Sequence, residues 1–90
     1  MTSQDSQAAL GTPPMTATEE AIAEIWRGLF GITEVAVGDD FFELGGNSLT
    51  AIKFLSRVEE RFTVDVLLPE TLYEDARLSS LAKAVDEAMA

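Results

Sequence analysis

The spacing of apolar residues predicts that the folded part of this chain begins with an amphipathic helix. Apolar side chains recur at helical intervals at Ile22, Ile25, Trp26 and Leu29. Thr16 is followed three residues later by Glu19, the pattern of a capping box that satisfies two backbone N–H groups at a helix start. Gly31 is a typical terminator directly after Phe30. We therefore predict a first helix between the cap at Thr16 and Phe30.

A second helical pattern begins at Asn47 or Ser48 and continues to about Arg61. When successive residues are placed 100° apart, one narrow apolar stripe forms, and we expect it to face the core. Its members are Ala51, Leu55, Val58 and Phe62.

The other face of the second helix divides into two parts. Lys53, Arg57 and Glu60 lie opposite the stripe and should be exposed to solvent. Leu49 and Ile52 belong to neither group, because they lie off the apolar stripe on the flank that also carries Ser48. We therefore predict an exposed apolar pair beside this serine.

Two shorter patterns complete the chain. Pro69 can occupy the first turn of a short helix over Glu70 to Tyr73, with Leu72 and Tyr73 turned inward. A last helix is predicted from about Ser79 to Ala88, and its inward residues are Leu78, Leu81 and Val85. Val64-Asp65-Val66 alternates like a strand but is too short to form a sheet without a partner. The fold class is therefore all-α, a small four-helix bundle of three main helices and one short one.

The connection between the first two helices is long, from Ile32 to Gly46, and shows no helical periodicity. Gly38-Asp39-Asp40 marks a turn, and Phe41-Phe42-Glu43-Leu44 then brings three large apolar side chains into the loop. We expect Phe42 and Leu44 to anchor the loop to the core. Loops of this length within compact domains are uncommon and are often functional.

Composition limits the classes of function. The 90 residues make a single domain with a formal net charge of −10, which argues against nucleic-acid binding and favours partners with basic surfaces. No apolar run approaches the roughly 20 residues that cross a bilayer, so no membrane association is expected. The polar residues 1–15 resemble a flexible tail rather than a signal peptide, and residues 16–90 form the domain. The lack of cysteine fits a bacterial cytoplasm, where we expect a monomer.

The glycines before Ser48 invite an enzymatic interpretation that the residues do not support. Gly46-Asn47-Ser48-Leu49-Thr50 lacks the final glycine of a nucleophile elbow, and the chain has no histidine to activate a serine. Glu43 could act as a base only in an unusual hydrolase. The glycines also lack the lysine of a phosphate loop. The acidic residues Asp39, Asp40 and Glu43 lack the ligand spacing of a calcium loop and are better explained as a solvated turn. We predict no catalytic residue and no metal site.

Two interpretations of the glycine–serine arrangement stay open at this point. In the structural one, Asn47 or Ser48 caps the second helix and Gly45-Gly46 makes the turn before it. In the functional one, the two glycines leave Ser48 accessible to another enzyme, and the helix N-terminus stabilises a phosphate attached there. Leu49 and Ile52 would then form a docking patch beside the attachment point.

The decapeptide Asp40-Phe41-Phe42-Glu43-Leu44-Gly45-Gly46-Asn47-Ser48-Leu49 resembles the signature of peptidyl carrier proteins, the thiolation domains of nonribosomal peptide synthetases. The similarity extends over about residues 18–88. It includes Ile25-Trp26, Val37-Gly38-Asp39-Asp40, Phe62-Thr63-Val64 and Leu81-Ala82.

The resemblance implies a four-helix carrier fold that is not itself an enzyme. Ser48 would receive 4'-phosphopantetheine from coenzyme A through a separate, magnesium-dependent phosphopantetheinyl transferase, with Gly45, Gly46 and Asn47 as local support. An adenylation enzyme would load the thiol of the arm with an aminoacyl group as a thioester. Condensation or other tailoring enzymes would then process it in nonribosomal peptide or hybrid peptide–polyketide biosynthesis, as in antibiotic production.

The resemblance also implies which residues contact partners. They are Phe41 in the loop, Leu49, Ile52 and Lys53 in the second helix, and Leu72 and Tyr73 in the third. Two positions depart from the family pattern. Asn47 replaces the usual histidine or aspartate before the serine, which favours a broad-range transferase. Glu74-Asp75-Ala76-Arg77 replaces the usual Pro-Thr before the last helix.

Three alternatives remain at the level of sequence. The protein could be an acyl or aryl carrier of a polyketide or related pathway, or an unmodified interaction module of the same fold. We expect a freestanding, type II carrier, whereas one domain taken from a longer synthetase would have the same sequence pattern.

Overall fold

A computed structural model describes residues 14–90, so residues 1–13 of the predicted tail lie outside the described part of the chain. The described residues form helices α1 (Ala17–Phe30), α2 (Ser48–Arg61), α3 (Pro69–Glu74) and α4 (Leu78–Met89). The predicted all-α class, with three main helices and one short helix, is confirmed. Each boundary lies within two residues of its predicted position.

The ends of α1 are formed by the residues that the sequence indicated. The Glu19 N–H donates to Thr16 Oγ1 at 3.1 Å, and the Thr16 N–H donates to Glu19 Oε1 at 2.9 Å, which completes the capping box. At the other end Gly31, with φ 67°, donates its N–H to the carbonyl of Arg27. These bonds satisfy backbone groups that a helix end otherwise leaves unpaired.

The core surrounds α1, which lies between α2 and α4, while α3 packs against α4. Trp26 of α1 is fully buried, and its ring centroid lies 5.9 Å from that of Phe41 and 6.0 Å from that of Phe54. Aromatic pairs at these separations add to the stability that burial of their area provides. The loop before α2 therefore contributes directly to the core through Phe41.

The buried stripe of α2 differs from the predicted one. Ala51 and Val58 are buried as expected, but Phe54 is the third core residue, and Leu55 and Phe62 are only partly buried. The stripe is turned because α2 packs against α1, where Trp26 meets Phe54. The opposite flank of α2, which carries Leu55, is left partly open.

A carboxylate organises the junction between α3 and α4. Asp75 accepts hydrogen bonds from the Arg77 guanidinium, at 2.8 and 3.1 Å, and from the Ser80 hydroxyl at 2.8 Å. The bonds from Arg77, and then the bond from Ser80, hold the pKa of Asp75 well below its usual range. Asp75 thus ties the start of α4 to the end of α3 at the position where the sequence departs from the family pattern.

This junction also holds the long loop that precedes α2. The Phe41 N–H donates to the Ala76 carbonyl at 3.0 Å, and the Leu78 N–H donates to the Asp39 carbonyl at 2.9 Å. Asp40 and Arg77 form an isolated antiparallel bridge. The loop is therefore fixed at its middle by backbone bonds, and this places the residues that follow it, including Ser48, relative to the bundle.

Candidate functional site

Ser48 is the first residue of α2 and is exposed. Asn47 is the N-cap: its Oδ1 accepts the Thr50 N–H at 3.0 Å and the Thr50 hydroxyl at 3.1 Å, and its carbonyl accepts the Ala51 N–H at 2.8 Å. The structural interpretation of Asn47 as a helix cap is therefore confirmed. A neutral cap leaves no negative charge on the residue next to the Ser48 hydroxyl.

The start of α2 has the properties that an attached phosphate requires. Within residues 14–90, no backbone acceptor is provided for the N–H groups of Ser48 and Leu49. Unpaired N–H groups and the positive end of the helix dipole both stabilise an anion at this place. A phosphodiester on Ser48 fits this end of the helix without burying a charge.

Gly46 is required by the packing of Phe41. A Cβ at position 46 would lie 2.7 Å from the Phe41 carbonyl oxygen and still closer to its ring. The Gly46 N–H also donates to that carbonyl at 3.0 Å. The glycine therefore allows the loop to close over the buried ring directly before Ser48. This is a more specific role than the accessibility we predicted from the sequence.

Gly45 has a different reason to be glycine. Its φ of 109° lies in a region that residues with a side chain rarely adopt, whereas no described atom lies within 4 Å of its missing Cβ. Gly45 thus allows the backbone to turn, and Gly46 allows the backbone to pass close to Phe41. Together they support Ser48 by shaping the last turn of the loop.

Two aspartates of the loop accept hydrogen bonds from nearby backbone N–H groups. Asp39 Oδ2 accepts the Ala36 N–H at 2.8 Å, and Asp40 Oδ1 accepts the N–H groups of Phe42 and Glu43 at 2.8 and 3.2 Å. The bond between Asp40 and the Phe42 N–H makes an Asx turn, which aspartate commonly forms, whereas Asp39 closes the turn back to Ala36. In the described residues, no group of three Asp, Glu, His or Cys side chains could hold a metal ion.

An exposed apolar surface adjoins Ser48, as the helical wheel predicted. Leu49 is 63% exposed and Ile52 is 66% exposed, and Lys53 is exposed beside them. Contiguous exposed apolar patches often mark sites of interaction with other molecules. We refer to Leu49, Ile52 and Lys53 as the docking face, because contact with partners is predicted for these residues.

Tyr73 lies on the surface and not in the core, so its predicted inward orientation is wrong. It is 57% exposed and stacks on Phe42, with ring centroids 5.5 Å apart and an interplanar angle of 16°. Sequence reasoning missed this pair because neither residue belongs to a long periodic element. The stack joins α3 to the loop before Ser48.

Two residues predicted to contact partners are in the core instead. Phe41 and Leu72 are both 0% exposed. Phe41 packs between Trp26 and Phe54, and it replaces Phe42 as the main anchor of the loop, although Phe42 and Leu44 do pack against the core as expected. A fully buried side chain cannot touch a docked protein, so the direct contact predicted for Phe41 and Leu72 is wrong.

Comparison with known proteins agrees with this geometry. Residues 20–85 match the family model described as the phosphopantetheine attachment site. Chondramide synthase cmdD of Chondromyces crocatus is 38% identical over 77 residues, which is 86% of this chain and 2% of that protein. The chain thus spans about 2% of the length of the first curated relatives it matches.

Two solved structures share the fold. One is a peptidyl carrier protein in complex with the phosphopantetheine transferase Sfp and coenzyme A. It has a TM-score of 0.78 and 28% identity, and the match covers 86% of this chain and 99% of the other. The second is the solution structure of a peptidyl carrier domain of modular peptide synthetases, with a TM-score of 0.71, 29% identity, and coverage of 84% and 99%.

No helix within residues 14–90 is long and apolar enough to cross a membrane. The family match includes α2, α3 and most of α1 and α4, together with Ser48 and its supporting loop. The chain therefore belongs to the phosphopantetheine attachment-site family and is a non-catalytic carrier domain of the peptidyl type found in nonribosomal peptide synthetases.

Proposed function

We propose that Ser48 is the residue that carries 4'-phosphopantetheine in this chain. The observation that carries the proposal is its position: an exposed hydroxyl at the first residue of α2, inside the segment that matches the family. The unpaired N–H groups beside it suit a phosphodiester. When attached, the arm supplies a thiol that carries aminoacyl or peptidyl groups as thioesters.

The attachment reaction needs little from the carrier itself. The Ser48 oxygen forms a bond to the β-phosphorus of coenzyme A, the pyrophosphate bond breaks, and adenosine 3',5'-bisphosphate leaves. The hydroxyl proton passes to a base of the transferase, which also supplies the magnesium ion. The carrier contributes an accessible hydroxyl at a fixed helix end, and this explains why a chain without histidine can serve.

The chemistry of the arm indicates which enzymes are the partners, and the docking face indicates where they bind. A phosphopantetheinyl transferase attaches the arm, an adenylation enzyme loads it, and condensation or tailoring enzymes receive the product. Leu49, Ile52 and Lys53 lie within about two turns of Ser48, so a partner whose active site holds the arm also reaches them. Tyr73 offers a further exposed contact on α3. Attachment, loading and transfer take place in the bacterial cytoplasm, in keeping with the bacterial relatives.

Intact-mass measurement tests the attachment. The wild type, Ser48→Ala and the nearby Ser56→Ala variant are each incubated with coenzyme A, magnesium and a broad-range transferase. We expect the wild type and Ser56→Ala to gain one phosphopantetheine and Ser48→Ala to gain none. If Ser48→Ala is modified, the site is wrong. If the wild type stays unmodified while a control carrier is converted, the carrier function itself is refuted.

A further inference from the structure

The side-chain amide of Asn47 is held in one orientation at the start of α2. Its Oδ1 accepts the Thr50 N–H at 3.0 Å and the Thr50 hydroxyl at 3.1 Å. A backbone N–H can only donate, so the amide atom that faces it is the oxygen, and the amino group Nδ2 lies on the other side of the amide. Within residues 14–90, Nδ2 donates to no other group, and the residue is exposed. Asn47 therefore presents an unused amide donor on the residue directly before Ser48.

The cations of the chain are not arranged to pair with an anion on Ser48. The first cation of α2 is Lys53, five residues further along the helix. At 3.6 residues per turn it lies about 140° around the helix from Ser48 and about 7.5 Å along it. Arg27, Arg61 and Arg77 are already paired with carboxylates of the described residues. The first turn of α2 therefore offers neutral donors, and no cation, to an anion on this serine.

We propose that Asn47 Nδ2 donates a hydrogen bond to an unesterified oxygen of the phosphodiester on Ser48. The inference rests on the proposed attachment at Ser48. The phosphate oxygens lie two bonds beyond the Ser48 oxygen, and they share this end of α2 with the adjacent Asn47 side chain. One amide then has two roles, because Oδ1 caps the helix and Nδ2 binds the phosphate. Asn47 is in this sense a positioning residue for the arm.

Asparagine suits both roles, whereas aspartate, which the family often has at this position, suits only the first. Aspartate caps a helix equally well. It lacks the amide donor, however, and it brings a negative charge beside the phosphodiester. The repulsion of two unit charges about 4 Å apart in water changes an equilibrium about fivefold. We therefore infer that Asn47 favours the modified state of the folded protein.

The bond has a consequence for stability and for the direction of the arm. The hydrogen bond forms only when α2 is folded, so attachment of the arm should lower the equilibrium constant of unfolding. A hydrogen bond to a charge at an exposed helix start changes such a constant about two- to fivefold. The same bond fixes the torsion between Ser48 and the phosphate, and the arm then leaves the helix in a preferred direction.

Nuclear magnetic resonance of the wild type tests the bond directly. Asn47 is the only asparagine of the chain, and its side-chain amide signal is identified by its loss in Asn47→Ala. The apo and holo forms are compared after intact mass has verified the gain of one phosphopantetheine. We expect one Nδ2 proton to shift and to exchange more slowly with water in the holo form. The two β protons of Ser48 should couple unequally to phosphorus, because the torsion is fixed. An amide signal that is the same in both forms would refute the bond.

Urea titration of apo and holo variants separates this role from helix capping. Asn47→Ala loses the cap in both forms, so the cap cancels when the two forms of one variant are compared. We expect the stabilisation on attachment to be about two- to fivefold smaller in Asn47→Ala than in the wild type, and smaller still in Asn47→Asp. Glu60→Gln is the matched control, because this exposed charge lies about 18 Å along α2 from Ser48 and is screened by salt. It should leave the wild-type effect unchanged.

The outcomes distinguish the bond from the attachment itself. Equal stabilisation on attachment in the wild type and Asn47→Ala would show that Asn47 is a helix cap only, and would overturn the proposal. If the wild type gains no mass while a control carrier is converted, the attachment at Ser48 is refuted before any spectrum or titration is recorded.

Discussion

The replacement Gly46→Ala tests how the loop supports Ser48. The new methyl group would lie 2.7 Å from the Phe41 carbonyl oxygen and closer still to the Phe41 ring. Neither neighbour can move freely, because the ring is fully buried against Trp26 and Phe54, and the carbonyl accepts the Gly46 N–H. We expect the loop before α2 to shift and the free energy of unfolding to fall.

Overpacking of this kind costs about 1–3 kcal/mol. With a urea m-value of about 1 kcal/mol/M for a small domain, the unfolding midpoint should decrease by about 1 M or more. Trp26 is the only tryptophan and packs on Phe41, so its fluorescence reports unfolding of the affected region. Urea titration of the wild type and the variant gives the difference directly.

Gly38→Ala is the matched control in the same loop. No described atom lies within 4 Å of a Cβ at Gly38, so this variant should be neutral or slightly more stable. Combining Gly46→Ala with Phe41→Leu should cost less than the sum of the two single changes, because the smaller side chain relieves the contact. Equal midpoints for Gly46→Ala and Gly38→Ala would refute the packing argument.

Three further predictions concern the cap, the docking face and the junction. Asn47→Ala should lower the free energy of unfolding of the unmodified protein by about 1 kcal/mol in urea titration; an unchanged value would contradict the capping role. Ile52→Asp should change this free energy by less than about 0.5 kcal/mol but slow loading by the adenylation enzyme, whereas Val58→Asp should prevent folding, because it buries a charge. Because the folded pKa of Asp75 is lowered, its carboxylate stabilises the fold fully above the unfolded pKa of about 3.9, and this contribution is lost as the pH falls through the lower folded value. The difference in stability between the wild type and Asp75→Asn should therefore be constant above about pH 5 and shrink in more acidic buffer, and a difference that grows with acid would contradict it.

Local signals in the sequence were sufficient to predict the four helices of the described residues. The capping box at Thr16, the terminator Gly31 and Pro69 at the start of α3 act over a few residues, so their effect can be predicted without knowledge of the fold. The exposure of Leu49 and Ile52 also followed from periodicity alone. The exposure of these two side chains depends only on the regular geometry of one helix.

The sequence-based predictions were wrong where tertiary packing decides which of two adjacent residues is buried. Phe41 and Phe42 are adjacent in an irregular loop, and no periodicity indicates which ring is buried. Leu72 and Tyr73 pose the same problem in a helix of six residues, which is too short to define a stripe. In α2 the choice of Phe54 over Leu55 depends on the contact with Trp26 of α1.

Two long-range features also lay beyond the sequence. The reason for Gly46 is the ring of Phe41, whose position depends on backbone bonds between the loop and the α3–α4 junction. A groove lined by Ile52, Leu55, Leu67 and Leu68 lies between α2 and the segment leading into α3, and its existence depends on how the whole bundle packs. Neither feature is encoded in a short sequence pattern.

Attachment at Ser48 is tested most directly by locating the modification with mass spectrometry after treatment with coenzyme A and a broad-range transferase. The protein is digested, and the peptide spanning the start of α2 is fragmented between Ser48 and Thr50, the neighbouring hydroxyl residue. We expect one phosphopantetheine, on the fragment ions that contain Ser48. An arm on Thr50, on Ser56 or outside this peptide would contradict it.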